Sequence, residues 1–231
     1  MAEGAAVSVR ENLEKVKARM VAAEARAGRP AGSVRLVAVS KTQPMEKIRA
    51  AYEAGQRLFG ENYAQELRDK AEALKDLPDL ALHFIGTLQK NKAKYVVPVA
   101  AMFEALDDLG LARELDKRAA AASRILPVLV EVNLGEEQKG GVRPDDLAGF
   151  LAALRGLPSM RVEGLMCIPP PCEDPESTRP FFRKVALLGR EHGLGALSMG
   201  MSSDFEVAIE EGATLVRVGT AIFGERSYPA R

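Results

Sequence analysis

Short apolar runs rich in β-branched residues alternate along this chain with longer stretches whose apolar positions recur every three or four residues. The first kind predicts buried strands and the second amphipathic helices. The chain opens with a helix: Val9, Leu13, Val16 and Met20 share one face, and Gly28 and Pro30 end it. Ser8 and Glu11 have the spacing of a capping box that would start it. The run 36–41 predicts the first strand, and Pro44 opens a helix that stops at Gly55. Further strands are expected at 57–59, 82–85, 99–106, 125–133, 162–168, 196–198 and 215–218. Between them fall helices at 61–74, 87–94 (capped by Thr87), 107–123 and 145–154. The next carries Phe181, Phe182, Val185 and Leu188 on one face, and the last is boxed by Ser203 and Glu206 and ends at Gly212. Strict βα alternation implies a parallel sheet, and eight such units imply closure. The expected fold is therefore α/β, a (β/α)8 TIM barrel with one extra helix in front. An open doubly wound sheet is the alternative, but no Gly-x-Gly-x-x-Gly follows the first strand.

Length and charge narrow the function more than the fold. A barrel of this kind fits 231 residues as a single domain, 1–231. Lysine plus arginine and aspartate plus glutamate balance at 32 each, so no overall field draws the chain to nucleic acid or an anionic membrane. Cys167 and Cys172 lack a nearby histidine and are not spaced as zinc ligands, so no metal is expected. Two cysteines, no signal-like apolar opening and no long apolar run lead us to expect a soluble, cytoplasmic protein.

Active sites of such barrels are built at the carboxyl ends of the strands. Val37, Val39 and Lys41 alternate with their neighbours and point one way on an extended strand, which would put the Lys41 amine over the barrel mouth. A lysine held with little water around it loses the preference for its ammonium form and can act as a nucleophile toward an aldehyde. The bland alternative is a lysine that snorkels at a strand end. The loops after strands seven and eight offer Ser198, Gly200, Ser203, Gly219 and Thr220, small and hydroxyl-bearing residues that suit phosphate oxygens. Arg217 should point into the barrel, where a guanidinium requires either a carboxylate such as Glu131 or an acceptor on a ligand, a ring nitrogen for example. His83 reads as a core histidine with one hydrogen bond, Cys167 as a small buried hydrophobe, and Lys90, Lys92 and Lys94 as a solvated basic face.

Six ordered motifs carry a resemblance. Val39-Ser40-Lys41-Thr42, Phe59-Gly60-Glu61-Asn62-Tyr63, His83-Phe84-Ile85-Gly86, Leu88-Gln89-Lys90-Asn91-Lys92, Ser198-Met199-Gly200-Met201-Ser202 and Phe223-Gly224-Glu225 resemble the pyridoxal phosphate homeostasis proteins. These are single-domain relatives of the N-terminal barrel of alanine racemase, and the resemblance spans about 35–226. It implies that Lys41 carries pyridoxal 5′-phosphate (PLP) as an internal aldimine. It further implies that Ser198, Gly219 and Thr220, with Met199 beside them, bind the phosphate. Asn62 would line the cofactor ring, and Arg217 would face the pyridine nitrogen. One departure stands out: after the fourth strand the family has His-Ser, an apolar residue and Asp, where this chain has Glu104-Ala105-Leu106-Asp107.

The leading expectation is a monomeric carrier or buffer in intracellular PLP homeostasis, handing the cofactor to apo-forms of PLP enzymes without substantial turnover of amino acids. A PLP-dependent racemase is the alternative, and it needs an acid/base on each face of the substrate carbon. In two-domain racemases the second is a tyrosine of a further domain, which this sequence is not expected to contain; of its tyrosines only Tyr63 falls in a rim loop. A Schiff-base aldolase acting on a phosphosugar would also use a barrel lysine and a phosphate site, but its lysine ordinarily sits on a later strand.

Overall fold

The computed structural model describes residues 2–135 and 140–224, with side chains from Val9 onward. After α1 (Ala2–Arg26) come β1 (Arg35–Val39), α2 (Met45–Glu53), β2 (Leu58–Glu61), α3 (Ala64–Ala73) and β3 (Ala81–Phe84). Then follow α4 (Ala93–Val96), β4 (Met102–Leu106), α5 (Leu109–Ala121), β5 (Leu126–Glu131), α6 (Leu147–Leu154) and β6 (Met160–Met166). The chain ends in α7 (Arg179–Glu191), β7 (Ala196–Ser198), α8 (Phe205–Glu210), β8 (Leu215–Val218) and α9 (Thr220–Phe223). The strands close into a barrel in sequence order, every pair parallel, and β8 returns to β1 with Val37 opposite Arg217. The expected (β/α)8 barrel with its leading helix is the observed fold.

Outward side chains of the strands bury Phe59, Phe84 and Phe103 under the helices, where the last two rings stack 5.7 Å apart. α1 ties the ends of the barrel together. Its Leu13 and Val16 are buried, Asn12 Nδ2 donates to Ile222 O on α9, and Arg19 forms a two-pronged pair with Glu206 on α8.

Several boundaries differ from the sequence reading. α1 begins at Ala2, because the Ala-rich segment ahead of Ser8 is itself a good helix former; Ser8 lies within the helix rather than capping it. Thr87 caps nothing: the helix after β3 opens later, as a 3-10 turn at Lys90–Lys92. β4 starts at Met102 rather than 99, since the amides of Val99 and Ala100 both turn back to Val96 O. Ser203 does not box α8; the Asp204 carboxylate instead accepts from the Met201 amide and closes the turn before the helix. β1 ends at Val39, so Lys41 lies in a turn and its direction is not set by strand alternation. Glu225 of the last motif, and Tyr228, lie outside the described residues.

Candidate functional site

The turn after β1 is held from below by a buried charge cluster. Ser40 Oγ donates to Glu61 Oε1 at 2.5 Å, and Lys70 Nζ, reaching up from α3, donates to Ser40 O at 2.5 Å and to Glu61 Oε1 at 2.7 Å. Lys70 also pairs with Glu66 at 2.7 Å, and the same Glu66 oxygen accepts the Thr42 amide. The residues on either side of Lys41 are thus pinned by one ion cluster. Thr42 adopts φ 61°, a left-handed conformation that a β-branched residue takes only when its surroundings impose it. Lys70 and Glu61 are buried. Burial pushes the Glu61 carboxyl above its ordinary range, against the opposing pull of Lys70 and the Ser40 hydroxyl.

Above this turn lies a cavity of about 260 Å³ at the carboxyl ends of the strands. Lys41, Asn62, Arg217, Gly219 and Thr220 all line it. Asn62 Oδ1 is buried and has no hydrogen-bond partner among the described residues. Gly219 passes tightly against β1: a Cβ there would stand 3.2 Å from Val39 O and 3.3 Å from Val39 Cβ, so a side chain would press the eighth loop off the first strand. Ser202 and Ser203 also line the cavity, with Ser202 Oγ 3.4 Å from the Gly219 amide. Ser203 was among the residues the sequence offers to a phosphate, there as the start of a helix, whereas Ser202 was missed as a site residue. The available signal was Gly200 just ahead of them. At φ +92° it turns the loop over α8, and an added Cβ would lie 2.5 Å from Ala208 Cβ and 2.8 Å from Phe205 Cα. Gly200→Ala is expected to destabilise the fold by about 2 kcal/mol, from backbone strain and overpacking together. A shift of the urea midpoint measures it, and an unchanged midpoint would refute it.

Ser198 and Met199 do not line the cavity. Met199 is fully buried, and the Ser198 hydroxyl faces the barrel axis, where it donates to Glu104 Oε2 and accepts from Arg217 Nη1 at 2.6 Å. Arg217 also donates to Ser198 O and to Cys167 O at 2.8 Å. Its hydrogen bonds run to these groups and not to Glu131. Glu104, fully buried, accepts from Ser198 on one side and meets His83 Nδ1 on the other. Burial opposes ionisation of Glu104, yet the His83 and Ser198 hydrogen bonds and the Arg217 charge hold its carboxyl below the usual range. The departure from the family motif at this position therefore supplies the carboxylate at the centre of a polar column: His83, Glu104, Ser198, Arg217.

The remaining candidates separate cleanly. His83 sits at the opposite end of that column from the cavity, with the one hydrogen bond expected of it. The Tyr63 side chain is 55% exposed and outside the cavity. Lys90 pairs with Asp108 on the surface, and Lys94 lies over the Tyr95 ring. Cys167 is buried, and burial pushes its thiol up to about 12, whereas Cys172 is exposed. Iodoacetamide at neutral pH should accordingly modify Cys172 and spare Cys167, as peptide mass mapping would reveal; carbamidomethylation of Cys167 in the folded protein would contradict its burial. Among the described residues no cluster could hold a metal ion, and no helix is long and apolar enough to cross a membrane.

A family model described as "Alanine racemase, N-terminal domain" matches residues 11–227. The pyridoxal phosphate homeostasis protein of Aquifex aeolicus is 49% identical over 225 residues, covering 94% of this chain and 98% of that protein. PipY of Synechococcus elongatus, solved with PLP bound, superposes with a TM-score of 0.81 at 38% identity and covers 94% of this chain and 100% of its own. The alanine racemase of Corynebacterium glutamicum shares the fold at a TM-score of 0.69 and 18% identity, with 96% of this chain and 62% of the racemase aligned.

Proposed function

Since the chain belongs to the pyridoxal phosphate homeostasis protein family and carries the alanine racemase N-terminal fold, we propose that it binds pyridoxal 5′-phosphate in the cavity at the carboxyl ends of its strands and serves intracellular homeostasis of that cofactor. The observation that carries this reading is one cavity lined together by a lysine amine, a buried arginine, an orphaned amide oxygen and three hydroxyls. Those groups suit the cofactor's chemistry part by part. Lys41 bonds it covalently as a Schiff base. Ser202, Ser203 and Thr220 present hydroxyls to the phosphate, beside the loop backbone of Gly219. Asn62 would line the ring.

When bound, the cofactor supplies an aldehyde carbon for amines and a ring that withdraws electrons. Arg217 governs the second property. A guanidinium cannot give up its proton at physiological pH, so it donates to the pyridine nitrogen and leaves that nitrogen unprotonated. Its own orientation is fixed by three acceptors, two on Ser198 and one on Cys167. A ring held neutral withdraws electrons poorly, which favours storage of the cofactor over carbanion chemistry on amino acids. The protein thus acts as a carrier or buffer that releases the cofactor to apo-enzymes, with the barrel of 1–231 as one binding domain, monomeric and cytoplasmic. Adding PLP to the purified protein should produce the absorption band of a lysine Schiff base at one cofactor per chain, with negligible racemisation of L- or D-alanine. Steady racemisation at enzymatic rates would overturn the carrier reading, and absence of the band would overturn binding itself.

A further inference from the structure

A larger cavity, about 700 Å³, opens at the other end of the barrel, between the amino-terminal ends of the strands and α1. Met20 and Val21 of α1 form one wall, and Leu36, Leu58 and Met102 contribute to the barrel side, so the lining is chiefly apolar. That volume and character belong to sites for small organic molecules rather than to packing defects.

Two polar features give the cavity a chemical preference. His83 lies at its floor, 4% exposed, with Nδ1 fixed on Glu104; Nε2 has no hydrogen-bond partner among the described residues. The rim is cationic. Lys17, Arg35 and Arg57 line it, and among the described residues only Arg57 of these makes an ion pair at contact distance, with Asp79. The two carboxylates of the lining are already committed. Glu24 accepts from the Gly32 and Val34 amides and the Ser33 hydroxyl, and Glu163 pairs with Arg161. Lys17 is partly buried beside Arg57, and that burial and the neighbouring charge depress its pKa, with Glu14 on the same helix offsetting them only in part.

We propose that this cavity is a second ligand site, for a small organic anion with an apolar body. Its acid group is held by Lys17 and Arg35 at the rim, its body lies against Met20, Leu36 and Leu58, and a polar group at its inner end reaches His83 Nε2. The site is separate from the cofactor cavity, since the two lie at opposite ends of the barrel and share no lining residue.

The probe is 8-anilinonaphthalene-1-sulfonate, an anion with an aromatic body whose fluorescence rises in apolar surroundings. Titration of the full chain should show saturable binding of one dye per chain. Prior saturation with PLP and the Lys41→Ala substitution should both leave that binding unchanged. Lys17→Glu and Val21→Glu each put a negative charge at the rim on α1, at positions able to accept it without loss of helix. Each should weaken dye binding about tenfold or more through charge repulsion at short range. Circular dichroism and PLP binding confirm that both variants are folded. Displacement of the dye by PLP would place it in the cofactor cavity and overturn the proposal, as would undiminished affinity in both rim variants or absence of saturable binding. Dye binding that disappears as the chain self-associates, followed by light scattering, would assign this face to a second copy of the chain and equally overturn it.

Discussion

Replacing Lys41 with alanine is expected to abolish the Schiff-base absorption of the PLP-loaded protein and to weaken cofactor retention by at least about a hundredfold, the loss that follows when a covalent link is exchanged for polar contacts worth a few kcal/mol. The remaining groups of the cavity, Asn62, Arg217 and the hydroxyls of Ser202, Ser203 and Thr220, would still bind the phosphate and ring reversibly. Equilibrium dialysis of the variant should therefore show a weak, phosphate-competable affinity rather than none. Lys41→Arg sharpens the test, because it keeps a positive charge at the same place and removes only the nucleophile. The same loss in both variants assigns the effect to the amine. A retained band in Lys41→Ala would mean that another lysine bears the cofactor.

The architecture was legible because apolar runs and breakers alternate with a period that only a βα repeat produces, and the short strands 196–198 and 215–218 matched residue for residue. Errors fell where a local rule competes with its context. Ser8 and Glu11 have capping-box spacing, but an Ala-rich lead continues the helix through them. Ser203 and Glu206 show the same spacing, and Asp204 took the turn instead, because its carboxylate reaches the Met201 amide. Lys41 was singled out for a direction it does not owe to strand alternation. It reaches the cavity because a turn is held by groups from β2 and α3, and no strand-end reading of the first segment alone contains that information. The polar column inside the barrel was equally out of reach. His83, Glu104, Ser198 and Arg217 lie on four different strands, and only closure of the barrel brings them into line.

The support beneath Lys41 yields the largest expected change in stability. Lys70→Met should cost about 3–5 kcal/mol at neutral pH, the usual penalty for removing one partner of a buried ion pair. Glu61 would be left fully buried with Oε2 already unpartnered, and Ser40 O would keep the Gln43 amide as its one donor. The pH dependence follows from Glu61. Its carboxyl is raised above the ordinary value of 4.5 by burial, and Lys70 is the leading influence holding it down. A carboxyl raised in the folded state keeps its proton where the unfolded chain has released it. Stability therefore falls as pH rises from the unfolded value through the folded one. Without Lys70 that window extends upward, and the penalty relative to the parent protein should be larger at pH 8 than at pH 5. Urea denaturation of both proteins at the two pH values measures it. Adding Glu61→Gln to Lys70→Met removes the stranded charge and should recover part of the loss at pH 8 and little at pH 5. A penalty below about 1 kcal/mol, or one that grows toward low pH, would show that the cluster is not an ion pair carrying the Lys41 turn. PLP binding by the single variant, measured below its unfolding transition, separates the two consequences: a folded protein with slowed Schiff-base formation places the role of Lys70 in holding Ser40 and Thr42 on either side of the reactive amine.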